Sequence, residues 1–218
     1  MVKRQAKEPL NPPSPHGGEG KGPRKVVLRR ETKETRIEIA LNLDGSGESR
    51  IASGVGFFDH MLSTLAKHGA LDLSLSCRGD TQVDDHHTVE DAGLALGAAL
   101  AQALGDKAGI RRFGFASVPL DEALAQVTID LCGRAHCAIR GGARLGKGKV
   151  GTFDVELVED FLGALANASG STLHVEIRAG RNCHHILEAT FKALARALRQ
   201  AVELDCRVTG VPSTKGVL

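Results

Sequence analysis

The chain has 218 residues, enough to bury a sizeable core in one or two domains. Its formal net charge is only +2, and it contains seven Phe but no Trp or Tyr, so neither a basic surface nor a stacking platform for nucleic acid is indicated. No apolar run is long enough to span a bilayer, and no secretory signal is recognisable. The five cysteines, without any C-x-x-C pair, predict reduced thiols in a cytoplasmic protein.

Residues 1–25 are rich in Pro, Gly and Lys and predict a disordered extension. Residues 35–45 then alternate between apolar and polar and end in Asp-Gly, which predicts a hairpin with a short strand at 49–55. A helix is predicted at 57–69, closed by Gly69, followed by strands at 71–77 and 80–85. A long helix rich in Ala and Leu at 88–105 completes the first half of the chain.

The second half repeats this order of elements. Residues 122–134 alternate like 34–45, residues 150–165 align with 55–69, and residues 184–198 align with 86–100. The repeat predicts two ββαββα half-domains of roughly 90 residues each, packed into one α+β domain. This domain covers residues 26–218, with repeats at about 29–118 and 119–207 and a tail at 208–218. The alignment pairs Glu34 with Glu122, and His60 with Val155.

Each repeat carries His-His-x-x-Glu at the start of its last helix, as His86-His87-x-x-Glu90 and His184-His185-x-x-Glu188. Residues four apart share a helix face, so His86 and Glu90 can reach the same point, whereas His87 points elsewhere. The duplication therefore predicts a pair of metal ions, each drawing on both halves, with His60 and His174 as further ligands. Imidazole and carboxylate without thiolate suit Mn or Fe, and spacing alone leaves Zn open.

Several neighbouring residues have two interpretations. His68 stands at a helix C-terminus, where it could interact with the helix dipole or with a substrate. Asp84 and Asp85 could orient the imidazoles or simply cap the helix. His136 is interpreted as an ordinary strand residue.

Six segments occur together along the chain: TKET (32–35), FFDHML (57–62), DDHHTVED (84–91), PLDEAL (119–124), NCHHILEATFKA (182–193) and PSTKG (212–216). This set, which extends from about Arg29 to the C-terminus, resembles the imidazoleglycerol-phosphate dehydratase family of histidine biosynthesis. The sequence departs from the family in its N-terminal extension and at Cys183, where a small polar residue is common.

The resemblance implies dehydration of imidazole glycerol phosphate to imidazole acetol phosphate on two Mn2+ ions per subunit, through a metal-bound imidazolate and a diazafulvene-like intermediate. It also implies a fold like domain 2 of ribosomal protein S5, with helices packed between two sheets. Subunits would form a homo-oligomeric 24-mer with the metal sites at subunit contacts. The expected partner is thus a small phosphorylated imidazole, not nucleic acid or a membrane.

The resemblance also assigns individual residues. One ion would bind His60, His87, His184 and Glu188, and the other would bind His86, Glu90, His174 and His185. Glu34 is the first candidate for proton transfer and Glu122 the second. The predicted substrate contacts, which include the phosphate contacts, are Glu34, His60, His68, His86, Glu90, Arg112, Arg134, His184, Lys192, Ser213, Thr214 and Lys215.

Two functions of other classes remain as alternatives. A two-metal phosphoesterase would use bridging aspartates, which are sparse among the candidate ligands. A metal-storage or metal-sensing module would not need Glu34 and Glu122 or the basic C-terminal tail. Assaying phosphate release and dehydration on the same substrate separates the three.

Overall fold

The computed structural model describes residues 24–142 and 148–218. The first half consists of β1 (Lys25–Glu31), β2 (Thr35–Asn42), β3 (Ser49–Ala52), α1 (Gly56–Gly69), β4 (Asp72–Gly79) and α2 (His86–Leu104). The second half consists of β5 (Phe113–Leu120), β6 (Ala123–Asp130), β7 (His136–Arg140), β8 (Lys149–Val150), β9 (Phe153–Asp154), α3 (Leu157–Ser169), β10 (Thr172–Ala179) and α4 (Cys183–Val202).

The predicted N-terminal extension lies, up to residue 23, outside the described residues. The described chain begins at Arg24, which is buried and donates to Asp44 and to the carbonyl of Val202. Arg24 therefore ties the first strand to the end of the last helix.

Each half forms a four-stranded sheet of the same topology. The strand orders are β1-β2-β4-β3 and β5-β6-β10-β7. In both sheets the strand pairs are antiparallel except the last, where β3 pairs in parallel with β4 and β7 with β10. The predicted α+β class and internal duplication are confirmed.

The order of elements within a half differs from the predicted one. Residues 80–85 form a turn and not a strand, and the fourth strand of the first sheet is β1, so each half reads βββαβα apart from the short β8–β9 ribbon. The predicted hairpin of β2 with β3 through Asp44-Gly45 is also wrong. The two edges of β2 are occupied by β1 and β4, and β3 pairs with β4 instead. Since β5 pairs with β6, the second repeat begins at Phe113 and not at 119.

The helices lie between the two sheets, as expected. On the inner face of β2, Ile37, Ile39 and Leu41 are buried, which is the period-2 pattern of a strand with one covered face. Helices α1 and α2 pack on the first sheet and α4 on the second, while α2 contacts α3 and α1 contacts α4 across the halves. In the described part of the chain, no helix is long and apolar enough to cross a membrane.

Two glycines let α2 approach α3 closely. A Cβ atom on Gly97 would lie 2.6 Å from the carbonyl oxygen of Leu165 and 2.8 Å from the Cβ of Ala168. One turn earlier, a Cβ on Gly93 would lie 2.7 Å from the carbonyl oxygen of Phe161. Separations this short are below ordinary van der Waals contact, so the close crossing of α2 and α3 depends on glycine, which has no side chain, at these two positions.

The structure also corrects the alignment of the two repeats. Helices α1 and α3 are both capped by a residue in the left-handed conformation, Ala70 and Gly170 respectively. The N–H group of each cap donates to carbonyls in the last turn of its helix. Counting back from these two caps pairs Val155 with Val55 and places Asp160, not Val155, at the position of His60. The consequence is that each half presents a polar side chain at this point of the helix.

Candidate metal and substrate site

Helices α1 and α4 bring three of the predicted ligands together. His60 comes from α1, and His184 and Glu188 come from the first turns of α4, where Asn182 caps the helix by accepting from the N–H of His184. The Glu188 carboxylate lies 3.0 Å from Nε2 of His184 and 3.6 Å from Nε2 of His60. One ligand atom from each residue falls within 4.8 Å of the others, a spacing that a single metal ion can span.

Glu188 is ionised in this cluster. Burial raises the pKa of its carboxyl group, but hydrogen bonds from Lys192 and His184 outweigh burial and hold the pKa at about 2. Lys192 lies one turn along α4, with its amine 2.7 Å from Glu188. His68 lies further along α1, where burial and the nearby charges of Lys192 and Arg196 lower its pKa. The predicted substrate contacts His68 and Lys192 therefore lie near each other where α1 packs on α4.

The second half-cluster lies where α2 meets α3. Nε2 of His86 is 3.8 Å from Glu90, and Nδ1 of the same ring is 3.2 Å from Asp160 of α3. This arrangement mirrors the first cluster, because Asp160 occupies the position of His60 and the pair His86 and Glu90 that of His184 and Glu188. It brings only two of the four predicted ligands of the second ion together.

His87 points away from both clusters. Its Nδ1 lies 3.1 Å from Asp80, at the end of β4, and its Nε2 lies 3.9 Å from Glu34. The hydrogen bond to Asp80 raises the pKa of the imidazole.

His185 has a corresponding partner in Glu122. Nδ1 of His185 is 2.7 Å from one oxygen of Glu122, whose other oxygen accepts from the backbone N–H groups of Arg181 and Asn182. These hydrogen bonds, that of His185 first, lower the pKa of Glu122 to about 2, and the pKa of His185 is raised in turn. Both oxygens of Glu122 thus accept hydrogen bonds, one from the His185 ring and the other from the backbone before α4.

Glu34 is held by its backbone and leaves its carboxylate exposed. The Thr32 hydroxyl accepts from the N–H groups of Glu34 and Thr35, and the Thr35 hydroxyl donates to the buried carboxylate of Asp91, which also pairs with Arg30. In the second half the positions of Thr35 and Asp91 are Ala123 and Ala189, both buried. Only the first half therefore has this polar support beneath its glutamate.

The two predicted four-ligand sets are not completed within one chain. Among the described residues, the only group of three or more His, Cys, Asp or Glu side chains with metal-ligand spacing is His60, His184 and Glu188. His174 is exposed on the outer face of its sheet, between Thr128 and Ala138, with its ring centroid 5.7 Å from that of His136. Asp84 accepts from the N–H of His86, the first residue of α2, whereas the N-cap residue Asp85 makes no capping bond with its side chain.

The predicted phosphate contacts gather around a groove of about 870 Å3. Arg112 lines it, together with the tail, but its guanidinium donates twice to Asp130 and once to the carbonyl of Pro212. Arg112 therefore orients the tail. The other predicted contacts in the groove are Arg134, Ser213, Thr214 and Lys215.

This groove and the pair of His185 with Glu122 lie at opposite ends of the second sheet. Asp130, the partner of Arg112, ends β6, whereas Glu122, the partner of His185, precedes its first residue. A strand of eight residues separates them by about 25 Å, at roughly 3.3 Å per residue. One small substrate cannot reach both from within a single chain.

Two residues of the site were missed in the sequence. Asp80 follows β4 in a stretch that was interpreted as a strand, and Asp160 lies among other acids at the start of α3. A correct alignment of the repeats through the helix ends would have pointed to Asp160, since it would have placed this residue opposite His60. No sequence pattern identifies Asp80.

Comparison with known proteins identifies a single family. Residues 53–198 match the model of the family described as imidazoleglycerol-phosphate dehydratase. The chain is 57% identical over 195 residues to the imidazoleglycerol-phosphate dehydratase of Desulforamulus reducens and 56% identical over 196 residues to that of Gluconacetobacter diazotrophicus, covering 89% of this chain and 98% of each relative.

Solved structures of the same family resemble this fold. The imidazoleglycerol-phosphate dehydratase of Staphylococcus aureus superposes with a TM-score of 0.75 at 37% identity, covering 83% of this chain and 99% of that one. The Pyrococcus furiosus enzyme, solved in complex with (S)-C348, gives 0.75 at 34% identity, with 88% and 100% covered.

Proposed function

The chain belongs to the imidazoleglycerol-phosphate dehydratase family, and from this premise we propose that it dehydrates imidazole glycerol phosphate with two Mn2+ ions per subunit. It is accordingly a hydro-lyase of histidine biosynthesis, as its named relatives are. A cytoplasmic location fits a biosynthetic enzyme whose cysteines carry reduced thiols.

The observation that carries the metal proposal is the donor set of His60, His184 and Glu188. Two imidazole nitrogens and an ionised carboxylate oxygen converge without any thiolate, which suits Mn2+ and disfavours a structural zinc site. The second ion would draw on His86 and Glu90 in the same way. Bound Mn2+ would supply a Lewis acid that withdraws charge from the imidazole ring of the substrate.

Proton transfer falls to Glu34 in this proposal. Its carboxylate is about half exposed, lies near Nε2 of His87, and is fixed only through its backbone. Glu122, the second candidate, already accepts three hydrogen bonds and has a pKa of about 2, so it is a poor proton acceptor at neutral pH. Lys192 holds Glu188 in its ionised form.

We infer further that other copies of the chain complete each site. His60, His184 and Glu188 lack their predicted fourth ligand, His87, whose ring lies against Asp80. His174, predicted for the second ion, is exposed on a sheet face where a neighbouring subunit can reach it. The separation of the phosphate groove from His185 and Glu122 along β6 supports an arrangement in which one subunit binds the phosphate while another supplies metal ligands. A homo-oligomer of the predicted 24-mer type satisfies both demands.

The test is a dehydration assay with metal-free protein and added Mn2+, in which imidazole acetol phosphate and free phosphate are both measured. Dehydration without phosphate release is expected, whereas phosphate release would favour the phosphoesterase. Bound Mn2+ without turnover would favour a storage or sensing module.

A matched pair of variants tests the predicted ligand set. His174→Ala should remove one of the two ions and the activity, because it deletes a ligand. His136→Ala, on the same sheet face but outside the ligand set, should retain both ions. The reverse outcome would exclude the second metal site.

A further inference from the structure

Three of the predicted ligand histidines share one feature. Nδ1 of each ring faces a carboxylate that is not itself a predicted ligand. The pairs are His87 with Asp80 at 3.1 Å, His185 with Glu122 at 2.7 Å, and His86 with Asp160 at 3.2 Å.

The Nε2 atoms of these rings face the other way. Nε2 of His86 is 3.8 Å from the predicted ligand Glu90, and Nε2 of His87 is 3.9 Å from Glu34. A neutral imidazole that donates its Nδ1 proton to a carboxylate must carry its lone pair on Nε2. The three carboxylates therefore select which nitrogen can bind a metal.

The residues that carry these carboxylates are anchored. Glu122 is fixed by the two backbone N–H groups that precede α4, and the turn after β4 holds Asp80 through the bond from the N–H of Val83 to its carbonyl. Asp160 stands in the first turn of α3, which is packed tightly on α2. Each carboxylate is thus carried by a fixed segment of backbone.

The two halves achieve the same orientation with different residues. In the second half the carboxylate is Glu122, whose counterpart in the first half is Glu34. In the first half, Asp80, the residue after β4, binds the imidazole in place of that glutamate. The corresponding residue after β10 in the second half is Gly180, at which a Cβ would collide with Ile186. Because Asp80 holds His87, Glu34 is released from that role.

We infer that Asp80, Glu122 and Asp160 are positioning residues that fix the Nδ1–H form of His87, His185 and His86 and so present Nε2 to the metal. The inference rests on the proposed function, because it assumes that these histidines bind Mn2+. Carboxylate–imidazole–metal arrangements of this kind raise the basicity of the ligand and restrict its rotation.

The experiment measures metal binding and not only turnover. Asp80→Ala, Glu122→Ala and Asp160→Ala are each titrated with Mn2+, following free Mn2+ by electron paramagnetic resonance, and with Co2+, following its visible absorption. Each variant should bind one ion on the order of 10–100-fold more weakly, with a changed Co2+ spectrum. Glu122→Gln keeps an oxygen that accepts from Nδ1–H and should lose less affinity than Glu122→Ala.

The matched control is Glu159→Gln. Glu159 lies in the same acidic patch as Asp160, but its side chain is exposed. Glu159→Gln removes one negative charge, as Asp160→Ala does. It should bind both ions with less than about a twofold change, since exposed charges interact weakly through water.

Alanine variants with the affinity and Co2+ spectrum of the unaltered protein would overturn the inference, even where they melt at a lower temperature. Equal losses for Glu122→Gln and Glu122→Ala would overturn it too, because charge and not ring orientation would then matter. Both outcomes leave the proposed function standing if the unaltered protein still dehydrates its substrate with Mn2+. An unaltered protein that binds no Mn2+ would remove the inference and the metal proposal together.

Discussion

Gly97→Ala should destabilise the protein, although alanine is the better helix former. Ala has a helix propensity about 1 kcal/mol more favourable than that of Gly, so an unhindered exchange would stabilise α2. At Gly97, however, the new Cβ would lie 2.6 Å from the carbonyl oxygen of Leu165, 2.8 Å from the Cβ of Ala168 and 2.9 Å from the backbone N of Ser169. These atoms belong to the backbone or lie next to it, so they cannot move aside by rotation.

The size of the effect follows from these distances. Ordinary contact begins near 3.4 Å, so α2 and α3 must separate by several tenths of an ångström. Overpacking of this kind typically costs about 1–3 kcal/mol, and subtracting the gain in propensity leaves a net loss of up to about 2 kcal/mol. For a chain of this length that loss lowers the melting temperature by up to about 8 °C.

The control is Gly163→Ala in α3, where a Cβ would meet no atom within 4 Å. It should gain the propensity term alone and raise the melting temperature by about 2–4 °C. Thermal unfolding of both variants is compared at one protein concentration, because oligomers melt in a concentration-dependent way. Gly97→Ala should also weaken Mn2+ binding, since α2 carries His86 and α3 carries Asp160. A Gly97→Ala melting temperature at or above that of Gly163→Ala would refute the steric argument.

Three further results are expected. Arg112→Lys keeps the charge, but lysine cannot bind Asp130 and the Pro212 carbonyl of the tail together. Substrate should therefore bind about 10–100-fold more weakly, as the loss of a charged hydrogen bond predicts. An unchanged dissociation constant would show that Arg112 does not orient the tail for substrate binding. In metal-free protein the pKa values of His87 and His185 are raised above their unfolded value of 6.5, so protonation of these rings stabilises the fold below that pH, and this contribution is lost as the pH rises through the folded values. The melting temperature should therefore fall as the pH rises above 6.5, and His87→Ala should reduce the slope. Chelation, or acidification to about pH 5, should shrink the particle in light scattering and Mn2+ at neutral pH should restore it; a large particle that survives metal removal would show that protein contacts alone hold the assembly.

The sequence predicted the elements that have their own periodicity. Alternation in β2, β4, β6 and β10, and the apolar helices with their histidine pairs, are local patterns, and the structure confirms them. The first strand of each half was not assigned, since β1 is exposed along one face and reads KVVLRRE. The pairing of β3 with β4 depends on which strand occupies each sheet edge, and a short local pattern contains no such information.

In the candidate site, too, local contacts could be predicted and contacts that depend on the fold could not. Residues four apart on one helix, such as His184 and Glu188, could be paired from spacing alone. The neighbours Asp80 and Asp160 reach their histidines only through the turn after β4 and the crossing of α2 with α3. The exposure of His174 is likewise a property of the sheet face, which no spacing predicts.

The contact of α1 with α4, and of α2 with α3, also bears on how such a chain arose. Each contact joins one half to the other. A chain that contained only one half would therefore expose to water the apolar helix faces that these contacts bury. A half-length ancestor with this fold would have needed a second copy of itself to fold. Fusion would then allow the two copies to differ at single buried positions, such as Asp91 in one half and Ala189 in the other.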